Sequence, residues 1–314
     1  MSLLTRYLDD ALRTELSKRV TTGGVRLEDV IRSGLCHPDS SIGIYAPDYQ
    51  SYAVFQELFE PILHNFLAPS LTLSKDLACL NPAAVVSTRV RVARNLSGYA
   101  FTAGMSRPER LGVEAKIAGA CGALGPEFRG WVRRLGDLPH RRLDSMISSR
   151  LAFGPQDKYM AAAGIHADWP IGRSVFNTRK KQLSVWINEE DHLRVAVVLP
   201  GMCVPACAGA MALAMSRLAS RLDFCRDAQH GYLTSCPSNA GAAMRVSCMV
   251  DVRLDPSQQP LLERLEATGL VQLRGAGGEH SPRTAGLLDV SFRNRVGVSE
   301  QQMLQDMNSL FLKT

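Results

Sequence analysis

The 314-residue sequence lacks any uninterrupted apolar run that approaches a membrane span, which needs about 20 residues. It also lacks the apolar block of a signal peptide, because Asp9, Asp10 and Glu15 occur within the first helical pattern. The same acids interrupt the basic face of a transit peptide. These absences predict a soluble, cytoplasmic protein with no membrane partner.

Cysteine is present, but the spacing of a disulfide or metal site is absent. No CxxC pair with a matching set of histidines or cysteines occurs, and a chain of this length does not need disulfides to stabilise its core. We therefore expect reduced thiols and no structural metal. The eight cysteines are Cys36, Cys79, Cys121, Cys203, Cys207, Cys225, Cys236 and Cys248.

Internal repeats, low-complexity tracts and the Rossmann and Walker glycine motifs are also absent. Nucleotide binding, if present, must therefore use another design. The formal charge of +6 and the pI near 9.0 favour an anionic ligand. Because the basic residues are scattered rather than gathered in a block, we expect no nucleic-acid partner.

The sequence does contain two regions of different periodicity. Residues 3–66 follow a helical pattern, interrupted by turn residues at 22–24 and 37–41. Residues 67–84 carry two prolines and no sustained period, which is typical of a domain connection. We predict a small helical domain at residues 1–70 and a larger mixed domain at residues 71–314, an α+β fold.

The larger region carries an antiparallel signature. Residues 183–187 and 193–199 are rich in β-branched side chains and flank a polar connection, as in a hairpin. The patterns further predict helices at 206–222 and 258–268 and strands at 244–254 and 286–291. A capping box formed by Ser299 and Gln302 should open the last helix.

Five arginines stand beside apolar strand sequence. Arg89 and Arg91 are two residues apart, so a strand would direct both to one face, where they could bind a polyanion. An exposed strand face is the alternative. Arg194, Arg245 and Arg274 lie in or beside other predicted strands, and five converging arginines would bind a triphosphate and support phosphoryl transfer.

The acidic turn at residues 189–191 could supply the complementary charge. A carboxylate such as Glu190 or Glu279 can fix a planar guanidinium and accept its proton. A solvated hairpin turn is the alternative. The turn around Cys236 could favour a thiolate, although a buried inert thiol is the commoner case. His192 could simply satisfy a backbone carbonyl.

Together these segments resemble the phosphagen kinases, the ATP:guanidino phosphotransferases, over nearly the whole chain. The resemblance rests on residues 87–91 (STRVR), 186–194 (WINEEDHLR), 234–239 (TSCPSN) with Arg245, and 274–278 (RGAGG), in the family's order. It implies a helical N-terminal domain, a larger domain with an antiparallel sheet flanked by helices, and Mg²⁺ bound as MgATP.

The resemblance also implies roles for individual residues. Glu190 would orient the guanidinium with Cys236 beside it, while Glu189 and Asp191 would support the magnesium water shell and the turn. The catalytic group would be Glu190, Arg194, Arg245 and Arg274. The arginines implied to hold the nucleotide phosphates are Arg89, Arg91, Arg194, Arg245 and Arg274.

Residues 37–48 resemble the substrate loop of the arginine-specific members. There Ser40, Ser41, Ile42 and Tyr45 would receive the amino-acid end of the substrate, and Glu279 would be the second guanidinium carboxylate. This favours free arginine as substrate, beside ATP and ADP. A kinase for another guanidino compound, a protein-arginine kinase and an inactive nucleotide-binding relative remain the alternatives, and the chain could be a monomer or a homodimer.

The nucleotide pocket departs from the family. Arg150 and Met249 stand where the family usually has histidines near the adenine and ribose. A guanidinium face and a polarizable thioether would then hold the base. We therefore predict loose discrimination between ATP and GTP.

Overall fold

The computed structural model describes residues 2–67, 80–275, 283 and 286–311. The N-terminal region is helical, as predicted. Its helices are α1 (Leu3–Tyr7), α2 (Asp10–Leu16), α3 (Leu27–Cys36), α4 (Ser51–Val54) and α5 (Gln56–His64). The predicted domain boundary after residue 70 lies outside the described residues.

The larger region is built on an eight-stranded sheet in which every neighbouring pair is antiparallel. Its order is β2-β3-β4-β5-β1-β8-β10-β9. These strands are β1 (Val85–Arg94), β2 (Gly130–Arg134), β3 (Ser174–Thr178), β4 (Leu183–Ile187), β5 (Leu193–Pro200), β8 (Met244–Asp251), β9 (Val271–Gly275) and β10 (Leu287–Phe292). Strands β6 (Arg226–Asp227) and β7 (Gly231–Tyr232) form a separate ribbon.

Most helices of the larger region pack on one face of the sheet. Alternate residues of the central strands, among them Val90, Val195 and Val246, are buried on this face because successive side chains of a strand point to opposite sides. The helices of the larger region are α6 (Arg107–Cys121), α7 (His140–Ser148), α8 (Lys158–Ala162), α9 (Val204–Ala219), α10 (Gln258–Ala267) and α11 (Glu300–Ser309). The α+β fold class is therefore confirmed.

The two regions share a second core. Helices α1, α3 and α5 bury Leu4, Ile31 and Phe59, and residues of the larger region, including Leu233 and Ala240, belong to the same cluster. Backbone bonds join the regions as well, because Ala46 N donates to the carbonyl of Ser235 at 2.7 Å. The predicted substrate loop is thereby fixed beside the segment that carries Cys236.

The structure corrects one detail of the predicted helix starts. Ser299 caps α11, because its Oγ accepts a hydrogen bond from Gln302 N at 3.1 Å. The Gln302 side chain, however, donates forward to Asp306 Oδ1 at 2.7 Å. The predicted reciprocal capping box is therefore wrong, because the Gln302 side chain points toward Asp306, one turn further along the helix, and not back toward the backbone N–H of Ser299.

Candidate active site

The face of the sheet opposite α9 carries the predicted arginines, and at its β3–β4 end α7 packs on Val175 and Trp186. Arg91 of β1 lies directly opposite Arg245 of β8, and Arg194 of β5 lies opposite Ala93, two residues from Arg91 along β1. Directly opposed residues of an antiparallel pair share a face. Arg89, Arg91, Arg194 and Arg245 are therefore brought together by the register of three neighbouring strands.

The fifth arginine lies on the same face, on the sheet edge. Arg274 of β9 is paired with Asp289 of β10, which is paired in turn with Met249 of β8. Arg245 Nη2 donates to Asp289 Oδ2 at 3.0 Å. Asp289, a counter-ion within the cluster, was not among the predicted site residues, although its position in a strand that alternates polar and apolar residues was a usable signal.

The arginine cluster is electrostatically crowded. Burial, and then the charge of Arg194, lowers the pKa of Arg89 to about 10. The same two causes lower the pKa of Arg91 well below its ordinary value. Burial and neighbouring like charges both disfavour the charged form of a group. Binding of an anion at this face is therefore favourable, because it relieves the repulsion among the arginines.

The acidic turn between β4 and β5 is fixed by buried polar contacts. Asn188 adopts φ +57°, and its side-chain amide donates to the carbonyls of Arg110 and Gly172 at 2.9 and 2.8 Å. Asp191 is buried and accepts from Asn95 Nδ2 and from Ser235 N, both at 2.7 Å. Asp191 therefore anchors the turn and is not part of a solvated hairpin.

His192 serves the same anchoring purpose. Its Nδ1 accepts from Leu96 N at 3.0 Å and its Nε2 donates to the carbonyl of Ala100 at 2.8 Å. Burial lowers the pKa of His192 to about 4, so the ring is neutral at physiological pH. The expectation that His192 satisfies a backbone carbonyl agrees with this geometry.

Glu189 and Glu190 face the arginines. Glu189 Oε1 accepts from Arg194 Nη1 at 2.6 Å, and the Arg194 guanidinium also lies 5.0 Å from the Trp186 ring centroid. Glu190 is partly exposed. Burial, and then the charges of Asp191 and Glu189, raises the pKa of Glu190 to about 8. The Glu190 carboxyl therefore holds its proton to a higher pH than an ordinary glutamate does.

Two residues that the sequence analysis did not single out connect to Glu190. Asn239 Nδ2 donates to Glu190 Oε2 at 3.2 Å, and Arg295 Nη1 donates to Asn239 Oδ1 at 3.1 Å. Asn239 lies in the 234–239 motif, but Arg295 follows β10 and carried no local signal. The chain from Arg295 through Asn239 holds one oxygen of the Glu190 carboxylate.

A pocket forms where the arginines of the sheet meet the acidic turn. Arg89, Arg274 and Met249 lie on the same sheet face but do not line this pocket. The residues that line the pocket are Arg91, Ala93, Glu189, Glu190, Asp191, Arg194, Asn239, Ala243, Met244, Arg245 and Arg295. It therefore combines an anion-binding floor with a carboxylate wall, which suits the joining of a polyanion to a cation.

Cys236 lies next to this pocket in a small apolar cluster. Tyr45 and Met160 belong to the cluster, and Ile42 packs against it. Burial, and then the charge of Glu190, raises the pKa of the Cys236 thiol, whereas Ser238 Oγ at 3.1 Å opposes this only in part. The hypothesis of a thiolate therefore disagrees with the structure, because burial outweighs the local hydroxyl.

The remaining predicted residues fall into three situations. Ser40 is buried and its Oγ accepts from Gly43 N at 3.0 Å, while the carbonyls of Ser41 and Ile42 accept from Leu3 and Leu4. Arg150 is exposed after α7 at φ +57° and contributes to the lowered pKa of Arg89. Glu279 lies outside the described residues.

The described parts of the chain contain no group of three or more His, Cys, Asp or Glu side chains placed to hold a metal. Among the same residues, no helix is both long and apolar enough to traverse a bilayer.

Residues 1–64 match the N-terminal domain, and residues 113–313 the C-terminal catalytic domain, of the ATP:guanido phosphotransferases. An arginine kinase of Anthopleura japonica is 36% identical over 321 residues, which are 98% of this chain and 45% of that protein. This chain thus spans less than half of that relative. An arginine kinase of Penaeus monodon is 31% identical over 324 residues, covering 99% of this chain and 91% of that protein.

Solved structures agree in fold. The substrate-free duplicated taurocyamine kinase of Schistosoma mansoni has a TM-score of 0.86 at 27% identity, covering 99% of this chain and 46% of that chain. A lombricine kinase has a TM-score of 0.84 at 27% identity, covering 98% and 89%. The relatives are thus named for three different guanidino compounds, which are arginine, taurocyamine and lombricine.

Proposed function

Because the chain belongs to the ATP:guanido phosphotransferase family, we propose that it is an arginine kinase, which transfers the γ-phosphoryl group of MgATP to free L-arginine. The products are phosphoarginine and ADP, and the reaction is reversible. The observation that carries this proposal is the pocket that Glu190 lines together with Arg91, Arg194 and Arg245. The arginine side of the pocket suits the phosphates, and the Glu190 side suits a guanidinium.

The arginine floor binds and orients the triphosphate. Arg89, Arg91, Arg194, Arg245 and Arg274 hold its oxygens, and their crowding is relieved when the anion arrives. Phosphoryl transfer needs in-line positioning and neutralisation of charge more than it needs covalent chemistry. Mg²⁺, bound to ATP, would neutralise phosphate charge and make the leaving ADP more stable.

Glu190 acts on the guanidine. The nitrogen lone pair forms the N–P bond, the bond from the γ-phosphorus to the ADP oxygen breaks, and the N–H proton passes to the Glu190 carboxylate. A carboxylate with a raised pKa is a suitable base for this step, since it holds the proton better than an ordinary glutamate does. Asn239 keeps the carboxylate turned toward the pocket.

Free arginine is the substrate that the N-terminal domain, residues 1–70, supports best. The loop that contains Ser40, Ser41, Ile42 and Tyr45 would receive the α-carboxylate and α-amino groups, while Glu279 would form the second carboxylate on the guanidinium. Tyr45 packs in the same cluster as Cys236, so the loop reaches the guanidine end of the site. The structural relatives named for taurocyamine and lombricine favour another guanidino compound as the second candidate.

A coupled assay of ADP release tests the proposal. MgATP is combined in turn with arginine, creatine, taurocyamine, lombricine or an arginine-rich protein. We expect arginine to exceed creatine by at least about 10²-fold in kcat/KM, which corresponds to roughly 2.7 kcal/mol of differential transition-state binding. Glu190→Gln serves as the background control, and preferred turnover of another guanidine would overturn the choice of substrate while retaining the reaction class.

A further inference from the structure

A pair of cysteines lies on the covered side of the sheet, away from the pocket. Cys203 is the N-cap of α9 and Cys207 lies one helical turn later, so both side chains are on one face of the helix. Their sulfurs are 4.0 Å apart. A disulfide requires about 2.0 Å, and a closure of about 2 Å is therefore needed.

The backbone at Cys203 can supply that closure. Cys203 has φ −149° and ψ 47°, outside the helical region, while Cys207 lies within the regular helix. The N-cap residue can therefore change its side-chain direction without the loss of an internal helical turn. Residues four apart on a regular helix have Cβ atoms about 5 to 6 Å apart, about 1 to 2 Å more than a disulfide spans, so the closure has to come from the non-helical N-cap residue.

The two thiols differ in their access to solvent. Cys203 is partly exposed, and its Sγ lies 3.4 Å from the carbonyl oxygen of Pro200. Cys207 is fully buried, and its Sγ donates to the carbonyl of Thr88 at 3.5 Å. Burial, and then the neighbouring Cys203, raises the pKa of Cys207 to about 12. An oxidant in solution therefore meets Cys203 first and finds Cys207 behind it.

From this arrangement we infer that Cys203 and Cys207 are an oxidisable dithiol, with Cys203 as the site of attack by a hydroperoxide and Cys207 as the resolving thiol. The Cys203 thiol loses its proton and attacks one oxygen of hydrogen peroxide, the O–O bond breaks, and the leaving hydroxide takes up that proton, so that a sulfenic acid and water form. The Cys207 sulfur then displaces the hydroxyl of the sulfenic acid and loses its proton, which releases a second water. The two sulfurs together lose two electrons and two protons to the peroxide.

One further thiol could compete for the sulfenic acid. Cys248 of β8 lies beneath the same helix end, with its Sγ 3.8 Å from Met202 Sδ and 4.0 Å from Thr88 Oγ1. A strand residue held in the middle of the sheet is less able to move toward Cys203 than its neighbour in the same helical turn. The geometry therefore favours closure within α9.

Mass spectrometry of the full-length protein after hydrogen peroxide treatment tests the inference. Cys203 and Cys207 share the tryptic peptide 195–217, whereas Cys248 lies in the peptide 246–253. We expect the unreduced peptide 195–217 to be about 2 Da lighter, resistant to alkylation, and restored by dithiothreitol. Cys36 is the exposed control and Cys121 the buried one, and neither should join this disulfide.

A variant separates a resolving thiol from a bystander. In Cys207→Ala the sulfenic acid on Cys203 should persist and react with dimedone, whereas wild-type protein should show little dimedone adduct. Cys121→Ala, which removes another buried thiol, should behave as wild type. A crosslink from peptide 195–217 to peptide 246–253, or an alkylatable Cys207 beside an oxidised Cys203, would overturn the inference.

Discussion

The two walls of the pocket are built in opposite ways. The cationic floor takes Arg89, Arg91 and Arg245 from neighbouring strands, where the register of the sheet alone fixes their spacing. The carboxylate wall takes Glu189 and Glu190 from a turn that has no register. The turn depends on Asn188 and Asp191, whose buried side chains bond to four different backbone or side-chain groups.

The walls nevertheless share one electrostatic property. The pKa of Arg89 is lowered and that of Glu190 is raised, so each wall disfavours its own charge before a ligand binds. A bound anion relieves the repulsion among the arginines, and a bound cation relieves the repulsion among the carboxylates. The site is thus prepared for two substrates of opposite charge, and damage to either wall should affect a different substrate.

The largest effect should come from the carboxylate wall. Glu190→Gln keeps the shape of the side chain but removes the charge and the proton acceptor, so we expect kcat to fall by about 10²- to 10³-fold, or roughly 3 to 4 kcal/mol. Binding of MgATP, measured by calorimetry, should change little because Glu190 does not contact the phosphates. Turnover at the wild-type rate would exclude Glu190 as the base.

A change in the cationic floor should lower kcat by about 10²-fold. Arg245→Ala removes a cation that lies opposite Arg91, where charge develops on the transferring group. The matched control is Arg253→Ala, which removes an exposed arginine that pairs with Asp251 after the same strand. If Arg245→Ala altered only the KM for ATP, Arg245 would be a passive anchor.

The pH profile should reveal the raised pKa of Glu190. Below about pH 8 the carboxyl is increasingly protonated and can neither bind the guanidinium nor accept its proton. We therefore expect kcat/KM for the guanidine to rise about tenfold per pH unit up to about pH 8 and then level, as free-enzyme profiles report essential groups. The residual activity of Glu190→Gln should lack this rise, which is the acidic limb of the profile. An acidic limb near pH 4.5, the ordinary pKa of a glutamate, would contradict the assignment of Glu190 as the base.

The smallest effect should come from the residue that positions Glu190. Asn239→Ala removes the donor to Glu190 Oε2, which we expect to lower kcat by about fivefold, since a hydrogen bond contributes about 1 kcal/mol. It should also move the acidic limb to higher pH, because the carboxylate loses a stabilising donor. Ser238→Ala, which removes a contact to Cys236 instead, should leave the limb in place.

The sequence predicted the parts of the site that depend on local pattern. The two-residue spacing of Arg89 and Arg91 places them on one sheet face, and the polar connection at 188–192 is indeed a turn between β4 and β5. Arg295 could not be assigned in the same way, because no local pattern shows that the segment after β10 reaches Asn239, which lies 56 residues earlier in the chain. The burial that raises the pKa of Cys236 likewise depends on Tyr45, almost two hundred residues earlier.

The crowding of arginines at the pocket should also make conformational stability depend on bound anions. An anion that settles among them stabilises only the folded chain, by about 2.7 kcal/mol at a concentration one hundred times its dissociation constant. We therefore expect protein without a bound anion to unfold more often and to be cut sooner by proteases. Under the proposed function, the lifetime of the chain would follow the concentration of the nucleotide that it binds.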